Sequence, residues 1–518
     1  MRSCQSVHTG RYLKYVVLIS LIAGATYCRG LMNSFVAEDF TMMSLSTLPF
    51  SALWELMTSA TRIRPLPVCI NWVLYQGFGM NPLGYYLFVL VLHVVASVLV
   101  FFVGKSLSGD ERVGLTSALL FVVYPRHHQP VLWLSADQFV LVGIFALISI
   151  LCFRAYLRTG QFRYQLGTLI CVCMALLANE LGATLFPLLF LAEFILGGSE
   201  QKRWQSLFAV KTYCKYIPYL VLLILYIGVT FGGGRLFKLS MTAAEQQAAS
   251  EGWQYDTYHL VGLGPKGAKD LAAYLTYLVY PQIPLRALDI NLTTATVAAV
   301  TAFCLLALFI KGSPPVQFSV LWIFLTLAPF VLFVPFGNAD RYFYVPAIGL
   351  AILAGILGCW GYDKLKARSA VWARMVAVLL MGLYLISSVM LMQQRIGEWH
   401  RAGEIAADVV EQAKRLYPNV PPESTMLFVA LPDQYKQAYV FLGGGIGGAV
   451  YLAYGMQPSA PRAYRTRDPA VSSFLKEAEP VDDPLPGLYV FLYEDGILYD
   501  KSNVVSSLEP LRKGTWDR

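Results

Sequence analysis

The sequence predicts an all-α polytopic membrane protein with about 11 transmembrane helices, followed by a small C-terminal α/β domain. Three observations carry this. Hydrophobic residues make up 56% of the 518 and charged residues only 14%, against about 25% charged in a soluble globular domain. Apolar runs long enough to cross a bilayer recur through residues 1–392. Residues 393–518 read differently: polar, proline-rich and strand-like.

The runs fall at 13–32, 84–103, 112–124, 131–153, 165–180, 182–197, 214–231, 292–310, 316–336, 342–360 and 372–392. The first ends in ATYCRG, which faintly resembles a lipoprotein cleavage site. Tyr27 is too bulky for the position before Cys28, so the run is expected to remain as an uncleaved anchor. Segment 270–286 is apolar but short and broken by prolines, as expected of an interfacial or re-entrant piece.

The net charge of +8 does not point to nucleic acid, because the Lys and Arg residues form no solvated basic domain. They sort instead by loop. Arg2, Arg11 and Lys14 precede the first run. Lys105, Arg112, Arg154, Arg158, Arg163, Lys202, Arg203, Lys211, Lys215, Lys311, Lys364, Lys366, Arg368 and Arg374 fall in loops on that same side. The short loops between them hold only Arg62, Arg64, Arg126 and Arg341. The excess of basic residues makes the N-terminus cytoplasmic, and an odd number of spans makes 393–518 extracytoplasmic. The expected setting is a bacterial inner membrane with a periplasmic C-terminal domain. The nine cysteines lie mostly in or beside apolar runs, with no metal spacing at Cys171 and Cys173. Buried structural thiols are expected, with no disulfide framework.

In the C-terminal domain STMLFVALPD and GLYVFLYEDGILYD have strand composition, the second with a turn at Glu494-Asp495-Gly496. IAADVVEQAKRL has a helical period. GGGIGG (443–448) formally fits a dinucleotide fingerprint, with Asp468 at the distance of a ribose-binding acid. The domain is too small for a full dinucleotide fold, so a glycine turn or close backbone packing is expected there.

The stretch NSFVAEDFTMM sets Glu38 and Asp39 side by side just past the first run. The predicted orientation gathers them with Arg62, Arg64, His127, His128, Glu180, Asp340 and Arg341 at the outer membrane boundary. Ionisable groups at membrane depth are costly and usually face a cavity or one another. Acids, bases and histidines converging on one side predict an active site.

Four stretches, in order, then carry a resemblance: RPLPVCINWVLYQGFGMNPLGYYLFVLVLHVVASVLVFF, YPRHHQPVLWLSADQF, ANELG and DRYFYVPAIGLAIL. Residues 30–360 resemble the membrane glycosyltransferases of the GT-C superfamily, and within them the membrane half of the tetratricopeptide-containing protein O-mannosyltransferases and their bacterial relatives. The α/β domain stands where those proteins carry their repeats. The resemblance implies a GT-C-like helical domain over 1–392 and an inverting transfer of sugar from a polyprenyl phosphate to an acceptor hydroxyl on a protein or glycan. It implies an acidic base in the first outer loop; Asp39 matches that position, and Glu38 either assists it or is simply solvated. A leaving phosphate needs positive charge or a metal. Arg341 and Arg64 are the candidates for the phosphate, since guanidinium forks suit its oxygens. His127 and Glu180 are candidates to orient the donor or to hold a divalent metal. The chain departs from the family pattern at Tyr124, Gln129 and Asn179, where His, Glu and Lys are usual, and this counts against a metal in the second outer loop. Two other functions fit a chain of this class. A transporter or flippase of lipid-linked glycans would show charged or broken helices at mid-membrane and repeat-related halves. A non-catalytic scaffold would bind a partner through the C-terminal domain.

Overall fold

The structure, a computed structural model, describes residues 3–59, 64–196, 213–229, 265–281, 292–333, 339–421, 424–442, 444–455 and 461–507. Arg2, Arg62, Lys202, Arg203, Lys211, Gly443 and the end of the 270–286 segment lie outside these residues.

The apolar runs fold as helices, and polar or glycine residues mark their ends. After α1 (Ser3–Tyr27) come a loop at 33–38 and three shorter helices, α2 (Asp39–Ser46), α3 (Phe50–Ser59) and α4 (Pro65–Phe78). Asn81 caps α5 (Pro82–Ser108) by accepting from the Leu83 amide at 3.1 Å, and Gly109 ends it at φ 78°. Asp110 caps α6 (Glu111–Val122) in the same way. The chain then runs through a short α7 (His128–Leu132) to α8 (Gln138–Thr159), α9 (Phe162–Ala178), α10 (Leu185–Leu196), α11 (Ile217–Ile227), α12 (Pro265–Val279), α13 (Leu292–Lys311), α14 (Pro314–Phe333), α15 (Tyr344–Lys366) and α16 (Ala370–Leu416).

Seven described segments are long and apolar enough to cross a membrane: Tyr12–Met32, Pro82–Ser108, Leu134–Thr159, Leu292–Lys311, Pro314–Leu332, Asp340–Lys366 and Ala370–Leu416. The other four expected runs fold as α6, α9, α10 and α11, of 12, 17, 12 and 11 residues. These are shorter than the roughly 20 residues a bilayer core requires of an upright helix. The 270–286 segment contributes α12, which packs on α13 and α14. The helices approach closely where side chains are small: a Cβ on Gly114 would lie 2.5 Å from the Phe101 carbonyl oxygen. Among the described cysteines Cys28, Cys214 and Cys304 are exposed, so the expectation of buried thiols fails at those three. Cys304 lies beside the exposed Val300, Phe303 and Leu306 of α13.

α16 is 47 residues long, or about 70 Å at 1.5 Å per residue. Its first half exposes Val371, Trp372, Met375, Leu379, Leu383 and Ile386. Its second half buries Trp399, Ala402, Gly403, Ala406, Val409 and Ala413. One helix therefore passes from the apolar bundle into the C-terminal domain. The expected division at 392/393 falls inside it, and IAADVVEQAKRL is its last three turns rather than a separate helix.

The domain beyond it is a four-stranded sheet in the order β4-β1-β5-β6, built from β1 (Thr425–Val429), β4 (Arg462–Thr466), β5 (Leu488–Glu494) and β6 (Ile497–Asp500). A short hairpin of β2 (Gln434–Tyr435) and β3 (Ala438–Tyr439) follows β1. β1 runs parallel to β4 and β5, while β5 and β6 form a hairpin. Asp495 and Gly496 at its tip have φ 49° and 85°, the doubly positive turn that suits the strand twist. The two-residue alternation of β1 divides the core. Leu427 and Val429 join Val471, Leu475, Val490 and Leu492. Met426 and Phe428 belong to the same continuous core as the helical bundle. Gln412 near the end of α16 clasps the hairpin, donating to the Gly496 carbonyl and accepting from the Leu498 amide.

The glycine run opens α17 (Gly445–Ala453), and close packing is what it serves. A Cβ on Gly445 would meet the Ala37 carbonyl oxygen at 2.4 Å, and one on Gly448 would meet the backbone of Phe40 and Thr41 at 2.6 Å. Asp468 caps α18 (Pro469–Glu477) through the Ala470 amide, so it is not a ribose ligand. Gly448→Val therefore forces two backbones apart. It should lower the stability of the detergent-solubilised protein by about 1–3 kcal/mol, the usual cost of overpacking. Gly447→Ala, whose added Cβ meets its nearest neighbour at 3.6 Å, should leave thermal unfolding unchanged; equal loss in both variants would refute the contact.

Candidate active site

The loop after α1 turns sharply before α2. Ala37 takes φ 49°, and its amide donates to the Val440 carbonyl at 2.9 Å. The turn sends the two acidic side chains different ways. Asp39, with no exposed surface, accepts at Oδ1 from the Ser135 amide and hydroxyl, both at 2.9 Å, and at Oδ2 from the Val36 amide at 3.3 Å. Glu38 is partly exposed, yet its Oε2 is shielded from solvent and meets no hydrogen-bond partner. Burial raises both carboxyls to about 7. The rise at Glu38 is opposed first by the charge of Arg341, and also by Arg465 and Arg64. At Asp39 it is opposed by the Ser135 and Val36 donors and reinforced by Glu38.

Arg341 sits in the turn that leads into α15. Its amide donates to Gln129 Oε1 at 3.1 Å, and its guanidinium lies over the rings of Trp133 (5.1 Å) and Tyr342 (4.8 Å). Tyr342 is itself stacked on Phe330 at 4.3 Å. Gln129, a departure from the family pattern, is thus the residue that seats this arginine. The neighbouring Asp340 does not pair with Arg341. It is buried against Arg126 and accepts from His128 Nε2 at 2.8 Å. Trp399 on α16 donates its indole N–H to His128 Nδ1 at 2.9 Å. An indole nitrogen only donates, so Nδ1 must be unprotonated and Nε2 carries the hydrogen that Asp340 accepts. Burial lowers the His128 pKa against the pull of Asp340, in keeping with a neutral ring. Arg126 also reaches the Tyr277 and Tyr280 carbonyls at the end of α12. Trp133, Trp399 and Tyr439 complete an aromatic wall beside Arg341.

Arg64 and Glu180 bond to each other: Arg64 Nε reaches Glu180 Oε2 at 3.0 Å and Nη2 reaches it at 2.9 Å. His127 is elsewhere. Its ring is fully buried among Phe121, Tyr124, Tyr344 and His93, with centroids 4.5–5.2 Å away, and neither nitrogen meets a partner in hydrogen-bonding geometry. The structure places His127, expected at the donor phosphate, within this aromatic box. His127 and Glu180 do not fit a shared metal, since one is boxed in and the other holds Arg64. Among the described residues no three His, Cys, Asp or Glu stand together as a metal site. Tyr124 donates to the Leu278 carbonyl, and Asn179 bonds the Leu181 amide and Gln138, so the two remaining departures are structural ties. Reasoning from sequence passed over Trp133 and Ser135 within YPRHHQPVLWLSADQF, and Trp399, Tyr439 and Arg465, which lie far along the chain from the acidic pair and carry no local signal. Arg126 stood beside the histidines and was counted only as a loop charge.

No family model matches the chain. A stretch of 121 residues is 31% identical to the protein O-mannosyl-transferase Tmtc1 of Drosophila melanogaster, covering 23% of this chain and 14% of that protein. The chain is similar to protein O-mannosyl-transferases. A stretch of 154 residues is likewise 29% identical to TMTC3 of Mus musculus, covering 27% of this chain and 17% of that protein. The matches span less than a fifth of each O-mannosyl-transferase, and they agree with the GT-C resemblance carried by the motifs. Among solved structures, the chain aligns over 94% of its length with an oligosaccharyltransferase of Archaeoglobus fulgidus, covering 73% of that chain, at 14% identity and TM-score 0.47. It aligns over 94% of both chains with ArnT of Cupriavidus metallidurans bound to undecaprenyl phosphate, at 13% identity and TM-score 0.39.

Asp340 is held between Arg126 and His128. Asp340→Asn removes its charge and leaves the guanidinium buried. Breaking a buried pair in this way costs about 3–5 kcal/mol, so the variant should unfold at clearly lower temperature. An unchanged melting profile would show that the pair is not closed.

Proposed function

We propose that this chain is an inverting glycosyltransferase that moves a sugar from a polyprenyl phosphate to an acceptor hydroxyl at the extracytoplasmic membrane face. One observation carries the reading: a shielded, partnerless oxygen on Glu38 under the charge of Arg341. A carboxyl near 7 is well matched to accept a proton at neutral pH. Glu38, rather than Asp39, is the base in this reading, because all of the Asp39 hydrogen bonding goes to holding the loop. The acceptor O–H gives its proton to Glu38 Oε2 as its oxygen attacks the anomeric carbon. The phosphate leaves with the bonding electrons from the opposite side, which inverts that centre. Arg341 and Arg64 meet the growing phosphate charge, where fixed cations count most in the transition state.

The layout supports a lipid-borne donor. Glu38, Asp39, Arg64, Glu180 and Arg341 all lie at one end of the apolar helices, at the starts of α2, α4 and α15 and just after α9. Lys105, Arg112, Arg154, Arg158, Lys364 and Lys366 lie at the other end, which favours the cytoplasm there and leaves the acidic pair and the C-terminal domain outside. The names of the relatives make mannose the first sugar to try and a protein hydroxyl the first acceptor.

Glu38→Gln should lower kcat for transfer from polyprenyl-phosphate mannose by about 10²–10⁴, with donor binding little changed. The base works only when deprotonated, so wild-type kcat should fall as pH drops through about 7. If Asp39→Asn abolishes transfer and Glu38→Gln does not, the base is Asp39. A reporter fused after Arg518 should be protected from cytoplasmic labelling, whereas one inserted beside Arg163 should not; a labelled C-terminus would reverse the orientation.

A further inference from the structure

The C-terminal domain reaches the acidic pair through a traceable chain of contacts. Arg465 on β4 is 2% exposed. One of its terminal nitrogens donates to Asp433 Oδ1 at 2.8 Å and to the Phe441 carbonyl at 2.7 Å. Asp433, in turn, accepts the Val440 amide at its own carbonyl at 2.7 Å, which closes the 433–440 turn. The Val440 carbonyl then takes the Ala37 amide, one residue before Glu38. Ala37 holds the positive φ that sends Glu38 and Asp39 apart, and α17 presses its glycines against the same loop. Arg465 therefore fastens the segment that fixes the base, and its charge acts on Glu38 across the gap.

We propose that Arg465 is a positioning residue for the transfer reaction: it locks residues 433–441 onto Ala37 and brings its charge to the acidic loop, so that the C-terminal domain aims and tunes the base. This rests on the reading of Glu38 as that base. The charged and titratable groups around Glu38 are Arg341 and Arg64 from the helical bundle, Asp39 beside it, and Arg465 from the sheet. Glu180 offsets Arg64, Asp433 and Arg467 form one cluster with Arg465, and the charge of Asp39 acts on Asp137. Arg465 favours the charged form of Glu38. Removing its charge therefore raises the pH at which the base becomes available, whereas a purely structural residue would lower activity equally at every pH.

The experiment compares the full-length wild type with Arg465→Gln and Arg465→Lys in detergent. It records kcat against pH, and it follows the protonation of Glu38 by infrared difference spectroscopy assigned with Glu38→Gln. Arg465→Gln keeps a donor for the Phe441 carbonyl and loses the charge. It should move the acid limb of kcat and the infrared midpoint to higher pH together, by roughly half a unit to one unit. Arg465→Lys keeps the charge without the fork, so the midpoint should stay while kcat falls several-fold. A neutral variant with both midpoints unmoved overturns the proposal, as does a uniform loss at all pH values. Infrared spectra need no turnover, so a weakly folded variant is still judged on the midpoint of its folded fraction. Transfer that survives Glu38→Gln would instead overturn the assignment of the base.

Discussion

The Asp340 carboxylate is the constraint on which this site depends. It binds Arg126 and His128, and through them the end of α12 and Trp399 of α16. Four parts of the chain, separated by as many as 273 positions, meet at one buried anion. A carboxylate this deep is tolerable only when its charge is matched and its lone pairs are filled. Arginine and a neutral histidine do both. Such a network adds little net stability over an apolar core, yet it admits few alternative arrangements. It also occupies Asp340, which leaves the adjacent Arg341 to lie over Trp133 and act on Glu38.

Adjacent acids come to differ by the same logic. Both Glu38 and Asp39 lose water, and burial pushes both toward neutrality. Asp39 regains three donors and becomes part of the loop's frame. Glu38 regains its own backbone amide and charge at a distance, and its Oε2 stays without a partner. A single positive φ at Ala37 separates the two roles. The C-terminal domain supplies the contact that holds that turn, and for this reason its glycine helix and its hairpin belong to the site as much as the helical bundle does.

Much of the fold was legible in the sequence. The runs of apolar residues became helices, and Asp495-Gly496 turned the β5–β6 hairpin. These are local preferences: period and turn depend on neighbours within a few residues. The limit showed at α16. Its apolar half reads as the last span and its polar half as a separate domain's helix, since composition changes where the backbone does not. The acidic pair was visible too, because two carboxylates beside an apolar run are costly unless employed.

The sequence by itself could not say which acid is free, which arginine is paired, or where His127 points. Those depend on Ser135, Gln129, Trp399 and Arg465, brought near by packing across long separations in the chain. The sequence determined that a helical membrane domain would carry charged groups at one end, because period and charge distribution are properties of the chain alone. Only the tertiary structure decided that Glu38 lies under the charge of the arginines while Asp39 holds the loop. The desolvation and pairing that distinguish two neighbouring carboxylates exist only once distant residues have closed around them.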